Sequence, residues 1–142
     1  MTIALPAPEK GTVLDKTAFH KENASHAVAE ALVFLKKSWD LSDEQVASFL
    51  HIPRATVNSW LRAGRVPVES PGLLTPVTET ILHLIALHRS LFAMFSVPER
   101  QKAWLETRHP VLGEVPADIM RRSVEGLIYV RRYLDYARGR GA

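Results

Sequence analysis

Not one of the 142 residues is cysteine, which removes a disulfide framework, a thiolate metal site and thiol redox chemistry together, and fits a reducing cytoplasm. Long apolar runs are missing as well. The greasiest internal stretch, Ile81 to Leu87, is short and interrupted by His83, and the opening MTIALPAPEKGT has no basic segment followed by an apolar run. Neither secretion nor a membrane span is expected. Enzyme signatures are absent too: there is no HExxH, no GxxxxGK[ST] and no GxGxxG. His83 and His88 lie about 140° apart around a helix, too far round to share the face that a metal pair at i and i+4 needs. His20, His26, His51 and His109 are scattered along the chain. No catalytic residue, metal ligand or cofactor is expected, and the chain reads as a non-enzyme.

Charge is nearly balanced. Eighteen Lys and Arg against 15 Asp and Glu leave a formal net charge of +3 and a pI near 9.4, which permits nucleic-acid binding without requiring it. Where the charge sits therefore matters more than its sum. A hydrophobic content of 46% is enough for one sizeable core or two small helical modules.

The stretch DEQVASFLHIPRATVNSWLR, Asp43 to Arg62, has the apolar spacing of two short helices crossing at a tight turn, a helix-turn-helix. Ser42 can cap the first helix, with Gln45 placed to reach back in a capping box, and Val46, Ala47, Phe49 and Leu50 supply its buried side. Ala47 is the small residue needed where the second helix crosses. Pro53 lacks an N–H and forces Ile52 into extended geometry, so the second helix begins at about Pro53 or Arg54. His51 stands at a turn position where glycine is common because the chain often takes positive φ there. Ile52, Val57 and Trp60 are expected to fill the wedge, leaving Arg54, Ala55, Thr56, Asn58, Ser59 and Arg62 outside with no carboxylate among them. A recognition helix sets its N-terminal residues against base edges in the major groove. Arg pairs bidentately with guanine, Asn with adenine, and hydroxyls suit bases or phosphates. Arg54, Thr56, Asn58, Ser59 and Arg62 are the candidate DNA contacts.

Along the chain, residues 1–16 hold two prolines, a glycine and little periodicity, and are expected to form a flexible N-terminal arm. The helix-turn-helix module is expected over 17–66. Within it Val28, Ala31, Leu32, Leu35 and Trp39 mark an amphipathic helix from about Asn23 to Trp39, which packs behind the two short helices. Lys36 and Lys37 on its last turn suit either a phosphate or the helix dipole. Gly64 is a natural C-cap. Residues 67–95 read as a linker rich in proline, then a long apolar helix opened by Thr75 as cap and Pro76 in the first turn. One stripe runs Val77, Ile81, Leu84, His88, Leu91 and Phe95; beside it runs a second, Leu82, Ile85, Ala86 and Phe92. A helix greasy around most of its girth has two partners, and a second copy of the chain is one candidate for the second. Over 96–142, Ser96 to Glu99 has the form of a capping box before a short helix through Trp104 and Leu105. The punctuated loop HPVLGEVP follows, then a helical turn or two from Ala117 to Arg122, and a last helix over about Val124 to Ala137. Leu127, Val130, Leu134 and Ala137 form the inner face of that helix, and Tyr129, Arg131, Arg132, Tyr133, Asp135 and Tyr136 flank it. The fold class is all-α, a helix-turn-helix module followed by a small helical domain.

AWLETR, then HPVLGEVPADIM, then SVEGLIYVRRYL resembles the toxin-binding C-terminal domain of the Xre/MbcA/ParS antitoxins. That family shows a tryptophan-leucine pair, a proline-leucine-glycine loop, a second proline opening a helix, and a glycine on a final helix. Here these are Trp104 and Leu105, Pro110 with Leu112 and Gly113, Pro116, and Gly126 with Val130 four residues on. With the helix-turn-helix included, the resemblance covers roughly residues 25 to 140. Glu114 departs from it, standing where a second loop glycine is common. The resemblance implies an antitoxin of a type II toxin–antitoxin pair, most often with a RES-domain toxin that degrades NAD. Its C-terminal domain would hold the toxin, its terminal segment would cover the toxin's active-site entrance, and its helix-turn-helix would bind operator DNA and repress the shared operon. The toxin-facing residues so implied are Trp104, Leu105, Gly113, Arg131, Arg132, Tyr136, Arg138 and Arg140. A plain helix-turn-helix repressor and a protein-only helical adaptor are the alternatives. Salt decides between DNA binder and adaptor, because phosphate contacts release counterions and weaken steeply as salt rises.

Overall fold

The structure, a computed structural model, describes residues 23–68 and 76–140. The expected N-terminal arm, the cap Thr75 and most of the proline-rich linker lie outside these residues. Those described form seven helices and no strand: α1 over 23–38, α2 Asp43–Leu50, α3 Arg54–Ala63, α4 Pro76–Met94, α5 Pro98–Glu106, α6 Pro116–Arg122 and α7 Val124–Gly139.

Local chemistry sets most boundaries. Ser42 Oγ accepts from Gln45 N at 3.1 Å while Gln45 Oε1 accepts from Ser42 N at 2.8 Å, the reciprocal box that opens α2. His51 closes α2 in the left-handed region at φ 59°, ψ 41°, with its N–H on Ala47 O. Pro53, at φ −63°, then caps α3. The capping box expected at Ser96 does not form: Pro98 occupies the first turn of α5, so the N-cap falls on Val97, which has no side-chain acceptor to offer. α7 starts where Ser123 Oγ accepts from Gly126 N at 3.0 Å.

One hydrophobic core runs through the chain and joins Leu32, Leu35 and Trp39 of the first helical segment, Phe49 and Leu50 of α2, Val57 of α3, Ile81, Leu84 and Leu91 of α4, Met120 of α6 and Leu127 and Leu134 of α7. The segment after α3 is pinned to α1 in both directions, Val66 N to Ser25 O at 3.2 Å and Ser25 Oγ to Val66 O at 2.6 Å. α4 lies along α7, where Ser90 Oγ donates to Asp135 Oδ1 at 3.0 Å. The short α6 joins α2 and the turn after it to the rest: His51 Nε2 stands 2.9 Å from Met120 O, and the Arg121 guanidinium lies 5.1 Å from the Phe49 ring centroid. The residue that replaces glycine at the turn thus acquires a tertiary contact that glycine cannot make.

The two stripes of α4 are only partly as expected. Ile81, Leu84, His88 and Leu91 are buried, but Val77 is exposed at the open end of the helix and Phe95 is half-buried past its last turn. In the second stripe Ile85 is buried while Leu82 and Phe92 are exposed, Phe92 beside an exposed Phe34 on α1.

His88 is buried between the rings of Phe34, Trp39 and Phe92, with centroids 5.4, 5.0 and 6.0 Å away, and its Nε2 has no hydrogen-bond partner among the described residues. Burial, aided by Arg89, pushes its pKa down to about 4. The folded value therefore lies below the unfolded one near 6.5, the unfolded chain takes the proton first, and stability present above that pH is lost as pH falls toward 4. Urea melts between pH 7 and 4.5 should show a loss of about 2–3 kcal/mol. His88→Leu should remove most of that slope. A smaller slope of the same sign remains from His83, whose pKa is lowered by burial and then by Arg131.

Candidate functional site

α3 turns Val57 fully inward. Ile52 and Trp60, expected as full core residues, pack against the core half-buried. On the outer side Arg54, Ala55, Ser59 and Arg62 are exposed, and Thr56 and Asn58 are half-buried. Asn58 differs most from expectation. Its Nδ2 donates to Asp43 Oδ2 at 2.7 Å, and its Oδ1 accepts from Arg62 Nη2 at 3.1 Å. Lys36 Nζ stands 2.8 Å from Asp43 Oδ1. Lys36, and after it Asn58, hold the Asp43 carboxyl below its ordinary pKa. Both ends of the Asn58 amide are thus engaged within the chain, and a carboxylate from α2 stands beside a face that α3 alone leaves free of acid. The chain Lys36–Asp43–Asn58–Arg62 orients the Arg62 guanidinium, and Arg54, Ser59 and Arg62 expose their side chains to solvent.

The C-terminal candidates separate similarly. Leu105 is buried in the core and cannot touch a partner, which corrects its assignment as a contact. α5 presents Trp104 instead, half-buried with its ring 5.5 Å from that of His109. Arg131 is also committed inward: Nη1 lies 2.9 Å from His83 Nδ1 and Nε lies 3.1 Å from Asp135 Oδ2. Arg132, Tyr136, Arg138 and Arg140 are exposed. Arg140 lies over the Tyr136 ring, 5.5 Å from its centroid. Tyr129 is 55% exposed and Tyr136 60%; two turns apart, they share one face of α7 with Arg132 between them.

The loop between α5 and α6 is tightly held. His109 N donates to Glu114 O at 3.0 Å, and Gly113 N to His109 O at 2.8 Å. His109 Nδ1 accepts from Val111 N at 3.2 Å and Leu112 N at 3.4 Å, and Arg108 Nε donates to Gly113 O at 3.1 Å. Gly113 is exposed at φ +75°, a conformation an L side chain rarely adopts. Glu114 pairs with Arg122 of α6, which clasps the loop to that helix. Arg122 also lowers the Glu114 carboxyl pKa. Val111 and His109 were not among the site residues expected from sequence. The legible signal was His-Pro-x-x-Gly, a side-chain acceptor followed by turn residues.

Among the described residues no group of three or more His, Asp and Glu could hold a metal ion. No single helix there is long and apolar enough to cross a membrane; by length and composition together only α4 and α5 taken as a pair would be, and that pair is bent by 115°.

Residues 90–140 match the family described as the antitoxin Xre/MbcA/ParS C-terminal toxin-binding domain. No curated protein matches the chain. The match opens at Ser90 on α4, whose hydroxyl reaches Asp135 of α7, and takes in α5, the loop, α6 and α7. Over residues 90–140, then, the chain is similar to an Xre/MbcA/ParS-type antitoxin C-terminal toxin-binding domain.

Proposed function

We propose that this protein is the antitoxin of a type II toxin–antitoxin pair in the cytoplasm. It neutralises a RES-type, NAD-degrading toxin through residues 90–140 and represses its own operon through α2 and α3. The observation that carries this reading is the toxin-binding domain match on a chain whose helix-turn-helix shares one core with that domain. The exposed α7 face of Tyr129, Arg132, Tyr136 and Arg140 supports it, since tyrosine and arginine dominate interface energetics. Operator contact falls to Arg54, Thr56, Ser59 and Arg62, with Asn58 positioning Arg62. The exposed apolar strip of Phe34, Leu82 and Phe92 supports a homodimer, the symmetry with which helix-turn-helix proteins read paired half-sites.

The test is co-expression with the toxin encoded beside it, following growth and cellular NAD, alongside operator titration. Removing residues 138–142 together with Tyr136→Ala keeps the buried Ala137, so the protein should stay folded and bind its operator, yet fail to protect cells. Arg54→Ala should cost about 1–3 kcal/mol of operator affinity without loss of protection. Full protection by the shortened protein at matched expression would remove the terminal segment from the blocking role, and unchanged operator affinity would remove Arg54 from the DNA face.

A further inference from the structure

Val111 is 71% exposed, more than any other large hydrophobic side chain among the described residues. An apolar side chain at a loop tip ordinarily sits on mobile backbone, but here the backbone on both sides is stapled. His109 closes the loop through its main chain to Gly113 and Glu114, and its Nδ1 accepts from Val111 N and Leu112 N. With Nδ1 an acceptor, the ring proton belongs on Nε2, which faces the Tyr133 hydroxyl at 3.5 Å. The imidazole is flanked by Trp104 at 5.5 Å and Tyr133 at 5.1 Å.

Beside this loop lies a hollow of about 350 Å³, floored by Phe95, Ala103 and Trp104, with Arg100 and Arg108 on its rim. Arg100, Ala103, Trp104 and Thr107 follow helical spacing, so α5 offers them on one side. Neither rim guanidinium has an ion pair among the described residues; Arg108 only donates to a backbone carbonyl. The result is a held apolar knob on the loop whose His109 also lines an apolar hollow, with two arginines there that make no ion pair among the described residues.

We propose that the 109–114 loop and the adjoining hollow are a docking face for a toxin segment that presents an apolar side chain beside a carboxylate, with His109 as the residue that positions the loop. The proposal rests on the antitoxin reading and deepens it. Charge complementarity selects a carboxylate for the arginines, and the apolar floor and Val111 select a protein over a nucleic-acid backbone, which has nothing to place there. An anchor in a pocket, ringed by charge and pre-organised before binding, is the arrangement that gives an interface its largest single contributions.

The experiment measures affinity of the full-length protein for a catalytically inactive form of the toxin by calorimetry, with operator affinity and thermal melts as controls. Ala103→Trp fills the hollow, Arg100→Glu reverses its rim and Val111→Asp puts a charge on the knob. All three sites are exposed, so melting should hold while each variant weakens toxin binding at least about tenfold. His109→Ala should weaken it comparably. His109→Asn should restore most of it, because an Asn carbonyl can accept from the same i+2 and i+3 amides; a purely packing role for the ring would show no such rescue. Toxin affinity within about twofold of the parent in all three surface variants would overturn this face while leaving the antitoxin reading intact. Loss of operator affinity instead of toxin affinity in Arg100→Glu would also overturn it, assigning the rim to DNA. Failure of the parent protein to bind the toxin at all would overturn the antitoxin reading and this face with it.

Discussion

Gly126→Ala should destabilise the fold by about 3 kcal/mol or more, well beyond an ordinary surface substitution. Gly126 lies in the first turn of α7 where α6 crosses closest. A Cβ there would stand 2.0 Å from Ile119 O, 3.0 Å from Ile119 C and 3.2 Å from Ile119 Cγ2. The obstacle is backbone, which cannot swing aside as a side-chain end can. Relief requires moving α6, and α6 is held by Ile119 and Met120 in the core and by the contact between His51 and Met120 O. Alanine would gain roughly 1 kcal/mol over glycine from helix propensity, so the sign of the measured change reports which effect wins. Gly139→Ala is the control, since a Cβ at Gly139 meets nothing within 4 Å; it should be neutral or mildly stabilising. Thermal melts should place Gly126→Ala about 10 °C below the parent, and equal melting temperatures would mean that α6 and α7 are not packed this closely.

Gln101→Leu should cost about 2–4 kcal/mol although it adds apolar surface. The Gln101 side chain is fully buried. Its Oε1 accepts from Trp39 Nε1 at 3.0 Å, and its Nε2 donates to Phe95 O at 2.7 Å. Leucine would leave a buried indole N–H and a backbone carbonyl without partners, each penalised by about 1–3 kcal/mol. Trp39→Phe alone leaves Oε1 without its donor. Because replacing both partners can be nearly neutral, the double variant should lose less than the sum of the two single losses. A double-mutant cycle by urea denaturation reads that coupling, and strict additivity would show that the bond contributes nothing. The pair ties the end of the segment before α2 to α5, within the residues that match the family. For that reason Gln101→Leu should lower the melting of α2 and α3 and that of α5 to α7 together.

Helix positions were legible because their causes are local. The Ser42 and Gln45 box, Pro53 before α3, Pro98, Pro116 and Ser123 at helix starts, and the spacing of Leu127, Val130 and Leu134 each act within a turn or two of chain. Even the misplaced cap at Ser96 failed locally: a first-turn proline at Pro98 moved the N-cap one residue along to Val97. The domain match at residues 90–140 was legible for the same reason, since Trp104, Gly113, Pro116 and Gly126 are spaced by the turns and helix starts they make.

What each of these residues touches was a different matter. The amino-acid sequence alone determined an all-α chain without cysteine, most of its helix starts, the two short helices α2 and α3 joined by a tight turn, and the order of signals shared with a toxin-binding domain. Only the tertiary structure decided that Asn58 turns back to Asp43, that Leu105 is core, that Arg131 reaches His83, and that His51 reaches Met120. It alone brought Val111 and the Trp104 hollow together around His109. A periodic pattern says which side of a helix is polar, but a polar side chain is free for a ligand only where no neighbouring helix offers it a partner. Those partners stand on other helices, up to 69 positions away in the chain for His51 and Met120, where helical periodicity carries no information.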